Sequence, residues 1–369
     1  MSGAEQRTLE VRRLGRVEYA DGLALMAMAA GRVQAGDPPG TDWLFLVEHP
    51  PVVTLGRGAA AKNIVASPEW LARQGFEVHE TDRGGDVTYH GPGQVVGYPV
   101  LDLSGQRDVR RYVSDLEEAM IRTCAGYGIE AGRHPEHHGA WVGTRKIGAI
   151  GVHLSRWIST HGFAFNVAPD LGHFQAIVPC GIADPRLGVT SLAAELAARG
   201  LPPPSLAEVE GRLAQHLAAV LGRARRERGP DLRTVAVVPL GADGRVLLLR
   251  RSAERGGFWQ QVTGRIEPGE PAEEAARREL LEETGADAPV VALGYVHGFG
   301  IEPGLLAAGE TGLRTAEETA FSARLPPGFA PRLSVEHVEW GWFEPDEAVS
   351  RLRFAGLRRA VRLAVVRAV

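Results

Sequence analysis

Pro202-Pro203-Pro204 cannot be carried through a helix interior or a central strand, so one element must end there and another begin. Ser205 follows, with Glu208 three residues on, in the order of a helix capping box. Leu206, Val209, Leu213, Leu217 and Val220 then recur at helical spacing and predict a helix with one buried face that closes near Gly222. From Arg223 to Gly229-Pro230 the chain is charged, small and turn-forming. The apolar pattern restarts as Val235 to Leu240, a Gly241-Ala242-Asp243-Gly244 turn, and Val246 to Leu249, which reads as a hairpin opening a new domain. A chain of 369 residues exceeds what one core usually organises. The expected division is a first domain over 1–222, a linker over 223–232 and a second domain over 233–369, with no repeat similarity between the halves.

Composition narrows the function classes. A formal net charge of −4 argues against a nucleic-acid partner, whose footprint would be basic. No run approaches the roughly 20 apolar residues that span a bilayer, and residues 1–15 lack the apolar stretch and cleavage site of a signal peptide. Neither nucleic acid nor membrane is therefore expected as a partner. The 2 cysteines, Cys124 and Cys180, are far apart, so a disulfide framework is not expected and a reducing cytoplasm is the natural compartment.

In the first half, Trp43 to Val47, Val95 to Leu101, Lys146 to Leu154 and Ile158 to Val167 predict strands. Val109, Val113, Leu116, Met120 and Cys124 form one helical stripe, which makes Cys124 a small buried hydrophobe. Cys180 differs, because it lies off any stripe in Val178-Pro179-Cys180-Gly181-Ile182. Pro179 fixes the approach of the chain, and Gly181 lets backbone come close to whatever the sulfur touches. A thiol acts as a nucleophile only as thiolate, which a neighbouring cation favours. His134, His137 and His138 cluster without the cysteine partners of a zinc site and are read as a loop.

The glycine-rich run Arg83-Gly84-Gly85-Asp86-Val87-Thr88-Tyr89-His90-Gly91-Pro92-Gly93-Gln94 lacks the spacing of a P-loop or dinucleotide fingerprint. Taken with Glu48-His49-Pro50 to Arg57, Lys146 to Gly151, Gly162 to Val167, Pro179-Cys180-Gly181-Ile182 and Val189-Thr190-Ser191-Leu192, it resembles the octanoyl-[acyl carrier protein]:protein octanoyltransferases of lipoate biosynthesis. The resemblance runs over roughly residues 10–220 in the family's order. It implies an α+β domain with a lipoate/biotin protein ligase-like mixed sheet and helices on one side. It also implies a catalytic pair, Cys180 and Lys146, acting through an octanoyl-Cys180 thioester without a cofactor. Octanoyl-acyl carrier protein would be the donor. Lipoyl domains of 2-oxoacid dehydrogenase complexes and the glycine cleavage H protein would be acceptors. By the same analogy the substrate walls are Arg83, Gly84, Gly85, Asp86, Val87, Thr88, Tyr89, His90, Ala149, Ile150, Gly151, Gly162, Phe163 and Ala164. The ATP-using ligases of that fold make an acyl-adenylate, so Cys180 between Pro179 and Gly181 is the feature that separates the two groups.

In the second half, Gly264 to Glu270 and Arg278-Glu279-Leu280-Leu281-Glu282-Glu283-Thr284-Gly285-Ala286 fill the pattern G-x5-E-x7-R-E-x-x-E-E-x-G. Glu279 stands three and four residues before Glu282 and Glu283, which brings the three carboxylates toward one helix face. Such a set repels itself unless a hard divalent cation with oxygen ligands relieves it. Ala275, Ala276 and Leu280 offer a packing face, and Gly285 suits a helix end. This run resembles the Nudix box, which implies an α/β/α sandwich and Mg²⁺-dependent hydrolysis of a pyrophosphate bond, with Arg278 orienting one of the carboxylates. Leu249-Arg250-Arg251, Phe258 to Gly264 and Glu336 to Trp340 are similar to the dihydroneopterin triphosphate pyrophosphatase branch. To the box's metal ligands Glu279, Glu282 and Glu283 that narrower likeness adds Glu336 as a further metal ligand or base, and it implies a nucleoside or pterin triphosphate substrate with contacts from Arg250 and Thr263.

Three readings follow. The first is a bifunctional enzyme. The second keeps the transferase and makes the second half a nucleotide-sensing module without turnover. The third is a scaffold that holds lipoyl domains and transfers nothing.

Overall fold

The structure is a computed structural model that describes residues 6–181, 184–305 and 311–368, with the side chains of residues 180 and 368 outside the description. The chain falls into two compact units, Met1–Tyr19 with Met26–Gly229, and Ala20–Leu25 with Pro230–Val369.

Up to Gly229 the elements are β1 (Thr8–Arg16), α1 (Tyr19–Ala35), β2 (Thr41–Glu48), β3 (Val52–Leu55), α2 (Pro68–Arg73), β4 (Glu77–Glu80), β5 (Val87–His90), β6 (Gln94–Val100), α3 (Val109–Ala125), β7 (Ala140–Val142), β8 (Arg145–Ser155), β9 (Ile158–Asn166), β10 (Gly188–Val189), α4 (Leu192–Ala197), α5 (Leu206–Val220) and β11 (Ala224–Arg228). The main sheet is mixed, in the order β10-β8-β9-β6-β2-β1-β11 with β7 also on β8. A small sheet β4-β3-β5 stands beside it. The four strand runs read from the sequence are β2, β6, β8 and β9, and the amphipathic stripe is α3. Ser205 caps α5 by accepting a hydrogen bond from the Glu208 N–H.

Side chains alternate between the faces of a strand, and that alternation assigns the faces of this sheet. Val95 on β6 and Phe163 and Phe165 on β9 turn to one core, where Leu116, Met120 and Cys124 of α3 meet Val209, Leu213 and Leu217 of α5. Val96 and Tyr98 on β6, with Gly162 and Ala164 on β9, turn to the opposite face, where a cavity lies. Cys124 is fully buried in that helix-covered core, and burial pushes its thiol up to about 12.

The expected linker over 223–232 is not one, because residues 224–228 form β11, parallel to β1 in the register Thr8↔Ala224. Its five residues are exposed and carry the charges of a protected sheet edge. Arg226 pairs with Glu10 at 2.8 Å, and Arg13 pairs with Glu227 at 3.0 Å.

From Pro230 on, the elements are β12 (Leu232–Leu240), β13 (Val246–Arg251), β14 (Trp259–Gln260), β15 (Val262–Arg265), α6 (Ala272–Thr284), β16 (Val290–Ile301), β17 (Arg314–Arg324), β18 (His337–Phe343), α7 (Pro345–Arg351) and α8 (Ala355–Ala368). The expected hairpin is β12–β13, joined antiparallel at Leu240↔Val246. Val235, Val237, Leu247 and Leu249 face Ala275, Ala276 and Leu280 of α6. Their neighbours Ala236, Val238, Val246 and Leu248 face Ala348 of α7 and Ala360, Val361 and Ala364 of α8. The two cores on opposite faces of one sheet make the α/β/α sandwich. Among the described residues no helix is long and apolar enough to cross a membrane.

Leu280 is fully buried against Val235, Val237 and Val262. Leu280→Ala should cost about 2–5 kcal/mol, the usual range for a deleted core side chain. Urea unfolding followed by tryptophan fluorescence measures it, and the exposed Leu281 substituted by Ala is the control expected to stay within about 0.5 kcal/mol.

Candidate active sites

The cavity on the open face of the first unit has a volume of about 250 Å³. Its walls include Arg83, Gly85, Asp86, Thr88, His90, Lys146, Ala149, Ile150, Gly151, Gly162, Phe163 and Ala164, so it gathers most of the substrate walls expected from the sequence. Gly84, Val87 and Tyr89 are exceptions. The Gly84 N–H is spent on the Val152 carbonyl at 2.9 Å. Val87 and Tyr89 alternate with Thr88 and His90 along β5 and point into a small core with Val53, Phe76 and Phe174. Arg83 reaches the cavity, but its guanidinium donates to Thr54 Oγ1 and to the Thr54 carbonyl, at 2.8 and 2.7 Å from Nη2.

The structure adds Tyr19, Val96, Tyr98, Glu136, His137, His138 and His161 to the walls. His49 stands behind them, its Nδ1 donating to the Val17 carbonyl at 2.6 Å and its Nε2 accepting from the Tyr98 hydroxyl at 2.5 Å. Burial holds His49 down at about 4 and His90, with His49 beside it, at about 3, while burial pushes Tyr19 up to about 12. These rings are neutral at physiological pH. His161, in the left-handed region at φ 57, is paired through Nε2 with Asp82 at 2.7 Å.

A directed chain of buried hydrogen bonds links the cavity wall to the lysine strand. His90 Nδ1 donates to Gln94 Oε1 at 2.7 Å, and Gln94 Nε2 donates to Asn166 Oδ1 at 2.9 Å. Asn166 Nδ2 then donates to the Thr190 carbonyl at 2.9 Å, and the Thr190 N–H donates to the Lys146 carbonyl at 2.9 Å. All these groups are buried, where an unmet donor or acceptor would be costly.

Lys146 is 8% exposed, and its Nζ lies 5.0 Å from the centre of the Trp141 ring. A second cavity, of about 350 Å³, is walled by Trp141, Lys146, Leu171, Phe174, Gln175, Ile177, Pro179, Leu187, Gly188 and Val189. Lys146 therefore borders both cavities, and the residue before Cys180 borders the second. Cys180 lies in a short 3₁₀ turn, Pro179–Gly181, and its side chain is outside the described residues. The turn is held from behind. The Val178 N–H donates to the Asn63 carbonyl at 2.7 Å, and Asn63 Nδ2 donates to Asp86 Oδ2 at 2.7 Å. Gly181, at φ 66, presses on the Asp86 carboxylate so closely that a Cβ would strike it.

In the second unit, Gly264 has the same need for space, because a Cβ there would overlap the Glu279 carboxyl. Arg278 is the hub of the charge network. It donates to Glu270 at 2.9 and 3.0 Å, to Glu279 at 2.7 Å and to the Arg265 carbonyl at 2.9 Å, and it lies 3.4 Å from Glu282. Glu336 is drawn to Arg255 at 3.0 Å and Arg251 at 3.4 Å. Glu283 is nearly buried, with the Thr263 N–H at 3.4 Å. Burial, then the nearby Glu279 and Glu336 charges, holds its pKa well above the usual carboxylate range. Arg250 pairs with Glu339 at 2.9 Å on the surface.

Of the expected metal ligands, Glu279, Glu282 and Glu336 are thus turned toward arginines, and Glu283 is buried against the Thr263 N–H. Among the described residues no group of three or more His, Cys, Asp or Glu is drawn together as a metal cluster. The chemistry of the donor set nevertheless fits a hard divalent cation. It offers carboxylate oxygens, and Glu283 is a buried acid whose ionised form is disfavoured until a positive charge arrives.

Two domain families match the chain, the lipoyl protein ligase A/B catalytic domain over residues 18–218 and the NUDIX domain over residues 230–363. An octanoyltransferase of Myxococcus xanthus is 49% identical over 367 residues, covering 97% of this chain and 99% of that protein. The likeness therefore runs through both units. An octanoyltransferase of Solibacter usitatus is 52% identical over 211 residues, covering 57% of this chain and 91% of that protein. Among solved structures, the E. coli dihydroneopterin triphosphate pyrophosphohydrolase is similar at 29% identity and a TM-score of 0.33, covering 37% of this chain and 95% of that one.

The lowered His49 value makes a pH prediction. An unfolded imidazole titrates near 6.5. As pH falls from about 6.5 toward 4, the unfolded chain takes up a proton that buried His49 refuses, so stability is lost on acidification. The ceiling is about 3 kcal/mol for this one group. Urea midpoints at pH 7 and 4.5 should fall less steeply in His49→Gln than in the wild type.

Proposed function

The chain belongs to the octanoyltransferase family and carries a NUDIX domain after its catalytic domain, and from that premise we propose a thioester route through Cys180 and Lys146. The supporting observation is that Lys146 and Pro179, the neighbour of Cys180, border one cavity. Lys146 as ammonium favours the Cys180 thiolate. The thiolate attacks the thioester carbonyl of octanoyl-acyl carrier protein, the carrier sulfur leaves as a thiol with a proton from the Lys146 ammonium, and the octanoyl chain lies along Ala149 to Gly151 and Gly162 to Ala164. The amine of an acceptor lysine then attacks octanoyl-Cys180 and gives its surplus proton to Lys146 in neutral form. The carbon–sulfur bond breaks, and Cys180 leaves as thiolate beside the restored ammonium. Exchange of one thioester for another is nearly neutral in energy, and the amide product drives the transfer. Lipoyl domains of 2-oxoacid dehydrogenase complexes and the glycine cleavage H protein are the proposed acceptors, in a reducing cytoplasm and without a cofactor.

For the second unit the proposed activity is hydrolysis of a pyrophosphate bond in a nucleoside or pterin triphosphate. Glu279, Glu282, Glu283 and Glu336 would hold Mg²⁺, which when bound supplies neutralisation of phosphate charge. Arg278 tethers Glu279, and Thr263 and Arg250 are the proposed substrate contacts. A second reading, nucleotide binding without turnover, is favoured by one observation, the engagement of Glu279, Glu282 and Glu336 by arginines.

Three tests follow from these assignments. Mass spectrometry after incubation with octanoyl-acyl carrier protein should find an octanoyl adduct on Cys180. The adduct should be absent in Cys180→Ser, and transfer should slow by roughly 10²–10⁴-fold in Lys146→Ala. An unmodified Cys180 in active protein would exclude the thioester route. A panel of nucleotides and pterin triphosphates with Mg²⁺ should release pyrophosphate or phosphate, and turnover no higher than that of Glu282→Gln would leave the sensing reading. For metal-free protein, the raised Glu283 value means stability that is present below about pH 4.3 and lost as pH rises through the folded value. Thermal melts at pH 7 should therefore show Mg²⁺ raising the Tm of the wild type more than that of Glu283→Gln.

A further inference from the structure

We infer that the second cavity receives the side chain of the acceptor lysine, stem first against apolar walls, while the octanoyl chain stays in the first cavity. This rests on the thioester route through Cys180 and Lys146 proposed above.

The topology separates the two spaces. β8 pairs with β9 from Gly148 onward, but at Lys146 it runs between Trp141 of β7 and Val189 of β10. The first cavity runs along the β9 side, from Lys146 to Gly151 opposite Gly162 to Ala164, a length of roughly 16 Å at strand rise. The second lies at the other end of β8, where β7 and β10 flank it and Trp141 and Val189 stand beside Lys146. Among the described residues the two wall sets share Lys146 alone. In the second half-reaction the acyl chain still fills its own space, so the attacking amine needs another approach that ends at the same lysine. The second cavity is that approach.

Its chemistry selects the occupant. Among the described residues the walls are largely apolar, Trp141, Leu171, Phe174, Ile177, Leu187 and Val189, with Gln175 and Lys146 as the polar side chains. The arm of an acyl carrier protein is rich in amides and would leave donors and acceptors unmet against such walls. A lysine side chain presents four methylenes and a single polar tip. Apolar surroundings also favour its neutral amine over the ammonium, and the neutral form is the nucleophile. Lys146 stands in the same cavity to take the proton released on attack.

The two half-reactions can be read separately in the full chain. Octanoyl-enzyme formation is followed from octanoyl-acyl carrier protein, and its discharge is followed on adding a lipoyl domain. Leu187→Trp, at a half-buried wall position, should slow discharge by on the order of 10-fold or more through a raised KM for the acceptor, and slow acylation by less than about 2-fold. Leu187→Met should restore discharge. Discharge of the wild-type acyl-enzyme by free primary alkylamines gives a second readout that needs no variant to fold. Its rate at matched concentrations of the neutral amine should rise from ethylamine to butylamine, and the Trp variant should lose that rise. Equal slowing of both half-reactions, slowing of acylation alone, or no dependence on amine length would overturn the assignment. If wild-type protein forms no octanoyl-Cys180, the thioester route itself fails. If it forms and Leu187→Trp discharges normally, only the cavity assignment fails.

Discussion

The pleat of β6, β8 and β9 is the constraint on which the first unit depends. Because successive side chains leave a strand on opposite faces, the same three strands wall an acyl-sized cavity on one side and bury Val95, Ile147 and Phe165 with α3 and α5 on the other. A one-residue slip would exchange the two sets. The buried chain from His90 through Gln94 and Asn166 to Thr190 and Lys146 resists that slip, because it ties β5, β6, β9 and the approach to α4 to the lysine strand at fixed registers. Lys146 is held by its backbone, so its side chain is aimed by the sheet rather than by a mobile loop.

The second unit solves a different electrostatic problem. Its acids are gathered by helix spacing, and in metal-free form their repulsion is met in two ways. Arg278 takes Glu270 and Glu279 in charge-assisted hydrogen bonds, whereas Glu283 is buried and its ionised form disfavoured. Gly264 is the steric condition for this arrangement, since the Glu279 carboxyl occupies the space a side chain would take. The first glycine of the Nudix pattern thus has a local physical cause.

The parts legible in the sequence were those with strong periodicity or strict spacing. The strands β2, β6, β8 and β9, the stripe of α3 with its buried Cys124, the Ser205 cap and the box helix α6 all carry such signals. β11 was hidden because Ala224-Arg225-Arg226-Glu227-Arg228 has no apolar alternation, and its pairing comes from backbone and cross-strand charge. Val87 and Tyr89 were grouped with their neighbours because a motif quoted as a run ignores the alternation of the strand that contains it. Tyr19, Tyr98 and His161 reach the cavity from separate elements, and only folding brings them there. Polar residues within apolar strand patterns, Gln94 and Asn166 above all, were the one available sign of the buried hydrogen-bonded chain.

The same chain explains how a wall rich in imidazole and phenol can serve an alkyl substrate. Charged groups facing an acyl chain would hold water in the cavity, and water would compete with the chain for space. Here burial keeps His49 and His90 deprotonated and Tyr19 protonated. His49 satisfies the Tyr98 hydroxyl, and His90 is bound to Gln94. Polar atoms that are paired with one another make little demand on solvent, so this part of the wall can face an alkyl chain. Among the described wall residues Arg83 is tied to Thr54 and Asp86 to Asn63, while Lys146 stands where the two cavities meet.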